Sequence, residues 1–163
     1  MNSSEPFFHL SGIMLRPGSI IEPGNFGRIV RATGPAHTHW QREQALEMAR
    51  AKNYPNKPSR LEAAFVSVDV AEARSFRARI PGFTFHVLYR VSLLDPASPS
   101  HLTDTRLSER QGPAHYDWAN LYWSEYDPSK IVIPGIGTLA HATNGISCRE
   151  LLTLSALKIE EIL

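Results

Sequence analysis

Apolar and polar positions run along this chain in short bursts. Phe83, Phe85, Val87, Tyr89, Val91 and Leu93 alternate with mostly polar neighbours, which predicts a half-buried strand over 83–93 in a fixed register. Phe7-Phe8-His9-Leu10 predicts a first strand. Ala63 to Val68 predicts another, and Lys130-Ile131-Val132-Ile133 a further short one. Arg149 to Leu154 and Leu157 to Ile162 predict two short strands or one bent one. Pro17-Gly18 and Pro23-Gly24 mark turns, with Ile20-Ile21 and Arg28-Ile29-Val30-Arg31 as extended pieces beside them.

Helical spacing appears in three places. In HWQREQALEMARAK, Ala45, Met48 and Ala49 share a face, and Thr38 with Gln41 has the capping-box pattern. Asp69 with Glu72 has the same pattern directly after the 63–68 strand. Trp118, Leu121 and Tyr122 share a face in a segment that Pro113 can open. Residues 94–112, with two prolines and many Ser, Thr and Asp, read as a long surface loop. Residues 1–5 read as loose. Strands before and after a few helices, without βαβ alternation, define an α+β class.

Bulk numbers narrow the picture. The 163 residues suit one domain, 42% apolar and 20% charged, which is globular rather than disordered. Seventeen basic and 16 acidic residues leave a net charge of +1, which lacks the footprint of a general nucleic-acid binder. Arg74, Arg77 and Arg79 are close together, and their plain reading is a solvated helix face. The single cysteine, Cys148, excludes an internal disulfide framework. MNSSEPFFHL does not read as a signal peptide, and no run reaches the length of a membrane span. The expected place is the cytoplasm, or a target cell's cytoplasm reached without a cleaved signal, and no membrane partner is expected.

Several chemistries find no pattern. There is no P-loop, dinucleotide glycine fingerprint or nucleophile elbow; Gly135-Ile136-Gly137 reads as a turn. His37-x-His39 lacks a third ligand at metal spacing, so no metal is expected. Cys148 alone reads as a small buried residue. Glu150 stands just before an apolar strand; taken alone, it reads as solvated surface. His9 reads alone as a hydrogen-bonded strand histidine. Arg60 reads alone as a tie between its turn and the 39–52 helix, through Glu43 or Glu47. Phe65, Tyr122 and Trp123 each read alone as core.

Their order along the chain adds to this. Phe8-His9, Pro58-Ser59-Arg60-Leu61 with Phe65, Tyr122-Trp123, and Glu150-Leu151-Leu152 together resemble a group of short bacterial proteins in the ADP-ribosyltransferase superfamily. The likeness runs from about Phe7 to the C-terminus. AAFVSVDVAEAR is similar to the strand-then-helix segment of diphtheria-toxin-like enzymes, and RELLTLSALKI to the superfamily's catalytic-glutamate strand. The sequence departs where Val66 aligns with a tyrosine, where Leu10 follows His9 in place of an arginine, and where Ser147-Cys148 replaces an acidic or glutamine partner.

The resemblance implies a split pair of small antiparallel sheets with flanking helices around an NAD cleft. It implies Glu150 as the catalytic glutamate and His9 as the first-strand histidine, positioning a ribose. Arg60, with Ser59 beside it, would meet the pyrophosphate, and Phe65 with Tyr122 or Trp123 would face the nicotinamide ring. The activity implied is mono-ADP-ribosyl transfer from NAD to a macromolecular acceptor, protein or nucleic acid. A toxin or effector role and an inhibitor or immunity partner go with such proteins. An NAD glycohydrolase and a degenerate NAD- or protein-binding module remain the alternatives.

Overall fold

The computed structural model describes residues 6–108, 118–124, 132–133, 137–138 and 148–163. Its centre is one antiparallel sheet of seven strands: β1 Phe7–Ser11, β2 Ile20–Ile21, β3 Ala64–Ser67, β4 Val87–Leu93, β5 Ser100–Asp104, β8 Arg149–Thr153 and β9 Leu157–Ile162. Their order is β2-β9-β4-β1-β3-β8-β5. A separate two-stranded ribbon pairs β6 Val132–Ile133 with β7 Gly137–Thr138. The helices are α1 Asn25–Thr33, α2 Trp40–Asn53, α3 Val70–Arg79, α4 Thr105–Ser108 and α5 Trp118–Trp123, with a 3-10 turn at Gly34–Ala36. The architecture is α+β.

The seven strands form one hydrogen-bonded sheet rather than two separate ones, but its middle is thin. β1 and β4 share five register pairs and β3 and β8 share four, whereas β1 meets β3 only at Phe8↔Ser67. This seam divides β2-β9-β4-β1 from β3-β8-β5. Three apolar clusters hold the layers. Leu46, Tyr122, Trp123 and Leu152 pack α2 and α5 onto β8. Val66, Tyr89, Val91, Leu151 and Ile159 join the two halves of the sheet across one face. Phe8, Ala73 and Leu88 seat α3 on β1 and β4.

The remaining expectations divide by local chemistry. β3, β8, β9 and the Asp69-led helix form as the pattern predicts. Arg28–Arg31 is helical, not extended: it lies in α1, whose Gly27 and Val30 are buried one turn apart. The 83–93 strand begins only at Val87, because Phe83 N donates to Ile80 O (3.1 Å) and His86 N to Phe83 O (2.9 Å), making consecutive turns. The 94–112 stretch holds β5 and the buried α4 before leaving the described residues. No side-chain cap closes α2, so Thr38 and Gln41 do not form their box. The Lys130–Ile133 strand is described only as β6, and residues 1–5, 113–117 and 134–136 lie outside the described residues.

Candidate functional site

The site grows from β3. The turn before it carries Arg60, whose side chain turns inward and is only 6% exposed. Burying a guanidinium demands partners, and Arg60 has three. Its Nε donates to Glu43 Oε2 of α2 (2.9 Å), and its Nη1 to Glu150 Oε1 of β8 (2.7 Å) and to the Tyr122 hydroxyl of α5. The guanidinium carbon lies 4.8 Å from the Phe65 ring centroid and 5.0 Å from that of Tyr122, so it sits against both rings. Tyr122 Oη in turn donates to Glu150 Oε1 (2.8 Å). Glu43 is further held by Arg42 through Nε (3.0 Å) and Nη2 (2.7 Å).

The electrostatics agree with this wiring. Burial acts against the charge on Glu43, but Arg60 and Arg42 outweigh it and hold the carboxyl below its ordinary value. Burial also opposes the Arg60 cation; contact with Tyr122, Glu150 and Glu43 overrides it and keeps Arg60 charged. Burial pushes the Tyr122 phenol well above its ordinary value, so the hydroxyl is a neutral donor to Glu150.

His9 lies at the seam. Its Nδ1 is 2.8 Å from the Phe65 carbonyl, which can only accept, so Nδ1 carries the proton. Burial, more than the bond to Phe65 offsets, lowers its pKa, with His86 adding to the fall. The neutral ring then presents Nε2 as an acceptor, and no described residue donates to it. Thus His9 touches Phe65, Phe65 touches Arg60, and Arg60 touches Glu150. Phe26 of α1 meets the Phe65 ring edge-on at 5.7 Å and borders His37 at 6.0 Å.

The structure therefore brings His9, Arg60, Phe65, Tyr122 and Glu150 together and leaves two expected residues elsewhere. Trp123 is fully buried; its indole donates to Leu46 O (2.7 Å) and stacks on His101, which makes it core. Ser59 donates to Glu47 Oε2 (2.8 Å) and accepts from Leu61 N, which braces the turn against α2. Tyr122 is fully buried and meets the site through its hydroxyl and through the ring face against Arg60, so its ring is not open to a nicotinamide. Glu43 was not among the expected site residues, but the plain reading of Arg60 as a tie to the 39–52 helix named it with Glu47, and the structure makes that tie through Glu43, three residues before Leu46 on the inward face of α2. Glu72 was missed: it accepts from Arg149 N (2.6 Å) and Nε (2.9 Å), pinning the residue before Glu150.

Elsewhere, an open groove of about 530 Å³ runs between α2 and α5, lined by Trp40, Met48 and Trp118 among others. Among the described residues no cluster of three or more metal-ligating side chains occurs. No helix there is long and apolar enough to cross a membrane.

An α+β sheet with a narrow seam and a buried Arg–Glu–Tyr cluster beside it is the class that fold and site define. The sequence model of the family described as "Protein of unknown function (DUF2441)" matches residues 16–133, most of the chain, and the protein belongs to that family. No curated protein matches the chain.

Proposed function

We propose that this protein is an NAD-dependent mono-ADP-ribosyltransferase with an ADP-ribosyltransferase-like fold, the thin β1–β3 seam being where its sheet opens toward a dinucleotide. The observation that carries the reading is the contact relay at that seam: a neutral histidine on β1 and a glutamate on β8 joined through Phe65 and Arg60. In the reaction the bond between ribose C1′ and the nicotinamide nitrogen breaks, and its electron pair leaves on neutral nicotinamide. Positive charge develops on the ribose, as in other glycoside cleavages. A fixed carboxylate stabilises that charge more than it stabilises the ground state. Glu150 supplies it, while His9 Nε2 accepts a hydrogen bond from a ribose hydroxyl. Phe65, half-buried at the seam, offers an apolar edge to the ring. The acceptor then attacks C1′ and releases its proton.

The test is nicotinamide release from NAD by wild type and Glu150→Ala, with and without cell lysate. Release that needs both Glu150 and lysate supports transfer to a macromolecular acceptor. Toxicity on expression that Glu150→Ala relieves would add an effector role. Release without lysate assigns a glycohydrolase. A second reading has its own observation: Glu150 is already paired with Arg60 and Tyr122, as in a purely structural ion network. NAD binding with no release by the folded wild type selects that reading, a non-catalytic binding module.

A further inference from the structure

We propose that Arg60 is a positioning residue for Glu150 rather than a pyrophosphate ligand, and that Glu43 and Tyr122 complete the device; this rests on the NAD-cleaving reading above. Three observations carry it. First, Arg60 has no free pair of donors for a phosphate: only its Nη2 is without a partner among the described residues. It is buried against Phe65 and Tyr122, and its Nε and Nη1 are committed to Glu43, Tyr122 and Glu150. A pyrophosphate gripped by two donors along either edge of that guanidinium would have to take Nε or Nη1 from a buried ion pair. Second, the two oxygens of Glu150 are unequal. Oε1 accepts from both Arg60 and Tyr122, while no described residue donates to Oε2. Two donors on one oxygen fix the carboxylate plane and leave Oε2 as the oxygen presented to substrate. Third, Glu43 shares the Arg60 cation. Arg42, Glu43, Arg60 and Glu150 together are formally neutral. With Arg60 divided between two carboxylates, Glu150 keeps negative charge for a developing ribosyl cation. Without Glu43, the whole Arg60 charge would fall on Glu150 and oppose that stabilisation.

The helix that carries Glu43 therefore acts on the reaction without touching substrate. The roles separate kinetically. A ground-state contact to pyrophosphate appears in KM, whereas a lost transition-state alignment appears in kcat. A small misplacement of a reacting group costs up to about a hundredfold in rate.

The experiment measures kcat and KM for NAD, and inhibition by ADP-ribose, in Arg60→Lys, Glu43→Gln and Tyr122→Phe. ADP-ribose keeps the pyrophosphate and lacks nicotinamide. The expected result is a kcat about ten- to a hundredfold lower, with KM and ADP-ribose inhibition close to wild type. Tyr122→Phe deletes one hydroxyl and keeps the packed ring, so it reports even where the Arg60 or Glu43 variant fails to fold. Loss of ADP-ribose inhibition in Arg60→Lys with kcat retained would return Arg60 to the pyrophosphate and overturn the proposal. A Tyr122→Phe enzyme with wild-type kcat would overturn it as well. A folded wild type that releases no nicotinamide would instead sink the NAD-cleaving reading on which it stands.

Discussion

At the scale of single residues, the cluster makes two separable predictions. Glu43 is fully buried between Arg42 and Arg60. Glu43→Ala leaves both cations without that carboxylate, and breaking a buried pair from one side costs about 3–5 kcal/mol. An unfolding free energy lowered by that amount in urea denaturation is expected; an unchanged value would mean that the pair is not buried in solution. Glu150→Gln differs, because Arg60 keeps Glu43 and the amide keeps the size. Its expected signature is a rate of nicotinamide release lower by about a hundred- to a thousandfold with the fold retained. The sequence made His9, Arg60, Phe65, Tyr122 and Glu150 legible through residue type and order. It offered Glu43 only as one of two possible ties for Arg60, because an acid on a helix of charged residues has no local mark of burial. It also misplaced Trp123: adjacent aromatics in α5 point in different directions, so only Tyr122 reaches the site by its tip.

At the scale of elements, what positions the site is close approach between backbones. In α1, a Cβ on Gly27 would lie 1.8 Å from the Leu61 carbonyl oxygen, next to Arg60. Backbone cannot yield as a flexible side chain does, so Gly27→Ala should push α1 off the turn and give protein that does not fold cooperatively in a thermal melt. Asp69 caps α3 through Ala71 N (2.7 Å) and Glu72 N (3.1 Å). Asp69→Ala should cost about 1 kcal/mol, read as a small drop in melting temperature. The Asp69–Glu72 spacing predicts the helix correctly, yet Glu72 turns away from the reciprocal cap to hold Arg149. The misread elements fail for a common reason. Ile29 and Val30 favour strands in general, but burial of one helical face decides α1. Phe83 and Phe85 fit a period of two by chance: a pair of turns carries them, and Phe85 is 92% exposed. Side-chain periodicity does not encode the backbone hydrogen bonds that start β4 at Val87.

For the whole molecule, the buried titratable groups fix how stability changes with pH. His9 and His39 both have pKa values lowered from 6.5, chiefly by burial. Below that pH the unfolded chain binds protons that the folded chain refuses, so stability falls as pH drops through 6.5. Glu43, lowered from 4.5 by its arginines against the pull of burial, adds a second loss once pH falls below 4.5. Tyr122 sets the alkaline limit: raised above 10.0 by burial, it stays neutral in the fold while the unfolded phenol ionises, so stability declines as pH rises past 10.0. The expected curve of melting temperature is a plateau between 6.5 and 10.0 that falls on both sides, more steeply under 4.5. Replacing His9 and His39 together with glutamine should flatten the slope between 4.5 and 6.5 and leave the steeper fall below it. This measurement bears on chemistry as well as stability. A wild-type curve with no slope between 4.5 and 6.5 would mean that His9 accepts a second proton inside the fold. Its Nε2 would then be a donor, and it could not accept from a ribose hydroxyl at the seam.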